Sequence, residues 1–265
     1  MTALRLQTSV FILALALAAG CISGSRSSTK PASSPNGPAG EEARAQINLG
    51  AALLMQGEYG KALPELLRAR ELAPRNADVE NYLGLAYYYG EKEYDLAVES
   101  FQKALQINPD RTDVHNHLGL VHLARKEYEP ALAEFNYCLK DLVYQKKQLP
   151  LVNIGLTYME MGDYDQALTA LTRAVEVAPE YAKSYQLIGR IHMRRNNLET
   201  ALDYLGNAAR LDSNDPDAFM DLGELFTQLG KPEEAAQAYS RVSTLVPNTP
   251  LALEAQRRGR KVMGF

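Results

Sequence analysis

Tryptophan is missing from this 265-residue chain, cysteine occurs only twice, histidine four times, and no acidic residue precedes Glu41. No HExxH, GxSxG or CxxC occurs, so the usual marks of a zinc protease, a nucleophile elbow or a dithiol redox site are absent. Of the two cysteines, Cys21 closes an export-like leader, which leaves Cys138 without a disulfide partner. The apolar run Val10 to Ala19 is too short to cross about 30 Å of hydrocarbon as a helix. Arg5, Arg26 and Lys30 are the basic residues ahead of Glu41, whereas all 32 acidic residues follow it, so the main body is more acidic than the whole-chain charge of −4. An acidic body is a poor partner for nucleic acid, which is recognised by clustered cations.

What the chain does contain is a repeat. Leu49-Gly50, Leu83-Gly84, Leu118-Gly119, Ile154-Gly155, Ile188-Gly189 and Leu222-Gly223 recur at glycine spacings of 34, 35, 36, 34 and 34 residues. A period in this range marks a stack of supersecondary units that bury their cores against one another. Each glycine is followed by an alanine (Ala62, Ala97, Ala131, Ala167, Ala201, Ala235), 12 residues on in five copies and 13 in the second. Small residues at two such places let two helices approach closely.

Apolar side chains at Phe219, Leu222 and Phe226 fall on one helical face, and Ala97, Phe101 and Ala104 repeat the pattern on a second helix. Turn signals separate the two helices at Gly57, Gly162 and Gly230, and Pro74, Pro109, Pro179 and Pro247 close the unit. Pro64, Pro130 and Pro232 are expected near the start of second helices, where a missing N–H does little harm.

These residues resemble the tetratricopeptide repeat, a helix–turn–helix family. The resemblance implies an all-α, right-handed solenoid of six tetratricopeptide hairpins (43–76, 77–111, 112–147, 148–181, 182–215 and 216–249), closed by a capping helix in 250–265. Two copies depart from the pattern. The second has one extra residue near Tyr89 to Tyr94, and the third lacks the closing proline and has two extra residues before the next glycine. Cys138 stands where the second helix usually carries a small alanine and reads as a packed free thiol.

The first 40 residues follow other rules. Arg5, the short apolar run and Ala18-Ala19-Gly20-Cys21 resemble a bacterial lipoprotein signal, which implies a signal peptide over 1–20 and an acylated Cys21 as the first mature residue. An ordinary secretory signal with an incidental cysteine is the other reading. Ile22, in place of aspartate, favours the outer membrane by the same resemblance. Residues 21–40 are Ser-, Pro- and Gly-rich beyond the cysteine and read as a flexible linker.

No cofactor is expected beyond the acyl modification of Cys21, and no metal. His115 and His122 lie two helical turns apart, about 10 Å along the axis, too far to share one ion with ligands near 2 Å. Gly223, Gly230 and Lys231 echo a phosphate loop, but six residues separate the glycines and Pro232 follows the lysine, so they read as the repeat's turn.

In the repeat family, the residues three before, one after and four after the glycine line the concave side. Here they are Ile47, Ala51, Leu54; Asn81, Leu85, Tyr88; Asn116, Leu120, Leu123; and Val152, Leu156, Met159 in the first four copies. The last two copies carry Gln186, Arg190, Met193 and Met220, Glu224, Thr227, which are more polar. The first four triplets therefore form a candidate apolar partner-binding groove, with Asn81 and Asn116 able to bond a strand's backbone. A superhelix that buries its own inner wall is the competing account. Of the tyrosine run, Tyr87 is expected in the core, Tyr88 facing the groove and Tyr89 more solvated.

Six repeats, the lipidated cysteine and the length together resemble the outer-membrane pilotins of type IV pili. Asp141, Tyr144, Asn153, Ile154 and Gly155 are similar to that family's third-to-fourth connection, and Glu42 to Arg44 with Asn48 to Gly50 are similar to its opening helix. The resemblance implies a non-enzymatic lipoprotein, facing the periplasm, whose partner is the secretin subunit and whose membrane contact is the lipid anchor, with no small-molecule substrate. A periplasmic scaffold for peptidoglycan hydrolases or proteases would use the same groove, and an enzyme acting through the histidines is a more distant alternative.

Overall fold

The computed structural model describes residues 38–265. The signal segment 1–20, Cys21 and the linker as far as residue 37 lie outside the described residues. Among the described residues there are thirteen α-helices and no strand, in two compact units that divide after Arg111. The first unit holds α1 (Pro38–Met55), α2 (Tyr59–Leu72), α3 (Ala77–Tyr89) and α4 (Tyr94–Ile107). The second holds α5 (Thr112–Ala124), α6 (Tyr128–Lys140), α7 (Gln148–Met161), α8 (Tyr164–Val177), α9 (Ala182–Arg194), α10 (Leu198–Leu211), α11 (Pro216–Gln228), α12 (Pro232–Leu245) and α13 (Pro250–Val262). Each repeat is one antiparallel pair, α1 with α2 through α11 with α12, and α13 packs on α12.

The glycine makes each pair possible. A β-carbon at Gly50 would sit 2.5 Å from Leu66, at Gly84 2.5 Å from Phe101, at Gly119 2.5 Å from Phe135, at Gly155 2.6 Å from Leu171, at Gly189 2.6 Å from Leu205, and at Gly223 2.5 Å from Tyr239. The first helix thus carries a notch into which a bulky side chain of the second helix fits, and those six partners are all buried. The partner lies four residues beyond the alanine, one helical turn along. The six alanines are fully buried.

The turn between paired helices needs one residue in the left-handed region. Glycine supplies it at Gly57, Gly162 and Gly230, with φ of 73°, 82° and 69°. In the other three copies the position is filled by Lys92, Lys126 and Asn196, at φ of 57°, 61° and 58°, and the glycine of the second copy's turn, Gly90, caps α3 at a negative φ instead. The extra residue of the second copy is in this turn. Elsewhere the backbone N–H that closes it reaches back five residues, as from Glu127 to the His122 carbonyl, but Glu93 reaches back six, to Tyr87.

Three boundaries differ from the sequence reading. Helix α1 starts at Pro38, three residues inside the linker expected over 21–40; a proline is well suited to a first helical position, where its missing N–H does no harm. Pro64 lies at the sixth residue of α2, inside the helix; the residue four before it is Gly60, which has open space around its Cα. The closing proline is absent from the fifth copy as well as the third: α10 ends at Leu211, and the side chain of the C-cap Asp212 accepts from the Asn214 N–H at 3.0 Å.

Position in the stack also changes exposure. Leu83, Leu118, Ile154, Ile188 and Leu222 are buried, whereas Leu49 is 46% exposed. Leu83 joins a cluster with Leu66, Ala69 and Val79 of the surrounding helices, and no described hairpin precedes α1 to do the same for Leu49.

At the C-terminus, Arg257 and Arg258 do not simply project into solvent. Both bond Glu254, at 2.7 and 2.8 Å, and Arg258 also approaches Glu224 of α11 at 3.5 Å. The two guanidiniums hold the Glu254 carboxyl down at about 2.

Candidate binding face on the first helices

The twelve groove residues fall into two sets. In the first unit Leu54, Asn81 and Tyr88 are buried, and Ile47 and Ala51 of α1 with Leu85 of α3 are half-buried. In the second unit Asn116, Leu120, Leu123, Val152 and Met159 are buried, and only Leu156 is half-buried. First helices of neighbouring repeats pack on one another, α1 on α3 in the first unit and α5 on α7, α7 on α9 and α9 on α11 in the second. An inner wall that covers itself therefore accounts for eight of the twelve positions. Four half-buried apolar side chains remain available, three of them on α1 and α3.

In the tyrosine run Tyr88 is 8% exposed, and Tyr89, though less buried than Tyr88, lies between two other rings. It stacks on Tyr59 at 5.6 Å between centroids and meets Tyr88 edge-on at 4.5 Å. Burial raises the phenol pKa of both Tyr88 and Tyr89. Both work as packing groups at the wide turn of the second repeat.

Asn116 is also committed internally. Its Oδ1 accepts from Asn153 Nδ2 at 3.0 Å, with both residues buried, which ties α5 to α7 in place of a strand's backbone. Thr157 donates to the Asn153 carbonyl at 2.7 Å.

The last two repeats hold a network that the groove triplets only half revealed. Asp221 accepts from Gln186 Nε2 at 2.6 Å and from Arg190 Nε at 2.7 Å, joining α9 to α11. Burial raises the Asp221 carboxyl despite these donors, and burial lowers Lys183, whose charge is favoured by nearby Asp215, Asp217 and Asp221. Gln186 and Arg190 were legible as polar groove positions. Asp221 was not, because it lies two residues before Gly223, off the triplet.

The histidines are held by neighbours rather than gathered. His115 Nδ1 meets Glu134 at 2.6 Å with its ring against Tyr137, and His122 Nδ1 meets Glu127 at 2.6 Å. His192 stacks on Tyr204, and His117 is buried. Among the described residues, no group of three or more His, Cys, Asp or Glu side chains could hold a metal ion.

Cys138 is a free, fully buried thiol; its Sγ donates to the Thr112 carbonyl at 3.3 Å. Burial, with Glu134 nearby, pushes the thiol up to about 12 from an ordinary 9.0. A raised folded-state value means the folded chain holds the proton more tightly than the unfolded chain. This group's contribution to stability is therefore complete below about pH 9 and falls as pH rises through 12. Native protein at pH 8 should resist alkylation by iodoacetamide and react fully in urea. Equal rates in both states would show that the thiol is accessible.

Comparison with known proteins agrees with the geometry. The model described as Tetratricopeptide repeat matches residues 36–77, 152–216 and 187–250, and the one described as TPR repeat matches 88–126. The chain belongs to the tetratricopeptide repeat family. Repeats of this family are protein-interaction scaffolds that present extended binding surfaces.

A TPR repeat-containing protein of Methanocaldococcus jannaschii is 27% identical over 128 residues, 43% of this chain and 22% of that protein. The protein bimA of Emericella nidulans is 25% identical over 100 residues, 38% of this chain and 12% of its own. The chain thus spans less than a quarter of the length of these curated relatives. Among solved structures, Pseudomonas aeruginosa PilF superposes with a TM-score of 0.64 at 21% identity, over 83% of this chain and 99% of that one. PilW, described as a widely conserved type IV pilus biogenesis factor, gives 0.67 at 20% identity, over 80% and 97%. A tetratricopeptide repeat protein of Parabacteroides merdae gives 0.70 at 16% identity, over 85% and 86%. At these identities the likeness is one of fold.

Proposed function

We propose that this chain is a non-enzymatic, lipid-anchored pilotin of the outer membrane, which binds the secretin subunit of a type IV pilus machine and promotes its assembly into multimers. The observation that supports this most is the extent of the fold likeness, which runs over 99% of PilF and 97% of PilW rather than over a hairpin or two. The lipoprotein-like end of the leader at Cys21 supplies the anchor in this reading.

The half-buried row of Ile47, Ala51 and Leu85 is the docking place on the first unit. An amphipathic helix of the secretin lays its apolar face there, gaining the contact area that α1 and α3 leave open.

Deleting the gene should abolish heat-resistant secretin multimers; their persistence in the outer membrane would sink the proposal. Leu85→Glu should cut co-purification of secretin roughly tenfold, as loss of a central apolar contact does, while the helical signal stays. Unchanged co-purification would remove Leu85 from the docking place. Cys21→Ser should move the protein out of the membrane fraction, and continued membrane retention would refute acylation.

A further inference from the structure

We propose that the connection between α6 and α7, residues 141–147, is a second membrane contact, in which Leu142 and Val143 enter the acyl layer and the flanking lysines meet anionic phospholipid headgroups. Leu142 is 88% and Val143 83% exposed, a rare pairing of adjacent bulky apolar side chains in water. They are held out by the structure on either side. Asp141 accepts from Thr112 Oγ1 at 2.5 Å and from the Val143 N–H at 2.9 Å, while the Tyr144 ring turns inward. Burial raises the Tyr144 phenol, as an inward ring requires.

The charges around the pair select the partner. Lys140, Lys146 and Lys147 flank it along the chain, and the carboxylates that act on this connection are Asp141 within it and Asp113 on α5. The Asp141 carboxylate is engaged by Thr112 and the backbone, and those hydrogen bonds, with the charge of Lys147, keep it below the usual carboxylate range. On a chain whose folded part is acidic, three lysines against two carboxylates leave a local basic excess beside an apolar tip. That combination fits an anionic bilayer, which attracts the lysines and takes up the protruding side chains.

The inference rests on the proposed membrane address only in that a tethered domain has a bilayer within reach, and the test supplies the bilayer itself. Because the chain has no tryptophan, Leu142→Trp creates a single tryptophan at an exposed site, excited selectively over the 15 tyrosines. The mature chain carrying it is mixed with phosphatidylethanolamine–phosphatidylglycerol vesicles, and separately with phosphatidylcholine vesicles. Emission should shift to the blue and be quenched by brominated acyl chains on the anionic vesicles, and much less on the neutral ones. A Leu253→Trp control, at a side chain 62% exposed on α13, should stay unquenched. Replacing Lys140 and Lys147 by Gln should weaken insertion of the reporter roughly thirty-fold at low salt.

A tryptophan at 142 that remains solvent-like on vesicles carrying bound protein would overturn the inference. So would equal quenching on both vesicle types, or a shift that appears only when secretin is added, which would assign the loop to a protein interface. Failure of acylation at Cys21 would alter none of these readings.

Discussion

Phe135→Ala should destabilise the second unit by about 3–5 kcal/mol, the usual cost of emptying a buried aromatic site, read as a fall in the urea midpoint of the helical signal. The ring is fully buried and fills the notch that Gly119 leaves, so its removal empties the seat that holds α6 on α5. The informative companion is Gly119→Ala. With Phe135 in place, the new methyl would lie 2.5 Å from the ring. The overpacking costs about 1–3 kcal/mol, against about 1 kcal/mol gained in helix propensity, so the variant should be neutral or destabilised. With the ring gone, that opposition disappears and the same alanine should stabilise by roughly 1 kcal/mol. The sign of one substitution is thus set by the residue 16 positions away. Additive effects in the double variant would show that the notch and the ring are not a matched pair.

Leu120→Glu should unfold or severely destabilise the second unit, losing about 4 kcal/mol or more, while Leu85→Glu should leave the first unit folded. The two leucines stand at the same place in successive repeats, one after the glycine. Leu120 is 8% exposed, so a glutamate there forfeits the leucine's burial and must either bring a charge into an apolar site or take up a proton. Leu85 is half-buried and lets a carboxylate reach water. Thermal melts of the two variants side by side would decide this. A cooperative, wild-type-like melt for Leu120→Glu would mean that the inner wall opens more easily than its burial indicates.

That contrast marks where the sequence stopped being informative. The hairpins were legible because glycine, alanine, turn and proline repeat together, as at Gly155 and Ala167, where small residues let the paired helices approach closely. The glycine's opposite number was on the page as well, four residues past each alanine, but leucine, phenylalanine and tyrosine alternate there and hide the regularity. Three of six turns carry no glycine at the left-handed position, because Lys92, Lys126 and Asn196 adopt a backbone conformation that glycine usually advertises. Groove accessibility was unreadable for another reason. Whether Leu120 or Leu85 meets solvent depends on how closely neighbouring first helices pack, and nothing within one repeat records that spacing. The same limit concealed the Asn116–Asn153 and Gln186–Asp221 bonds, each of which joins two repeats.

Every glycine notch receives a side chain from its own hairpin, never from the next one. The contact that sets the closest approach of two helices is therefore sealed inside a unit of about 34 residues and carries no instruction about how many units follow. Stack length becomes a separate quantity, open to change by copying or excising one whole hairpin without redesigning any seat. In this molecule the count of repeats is free to track the size of what must be held, while the local architecture stays constant.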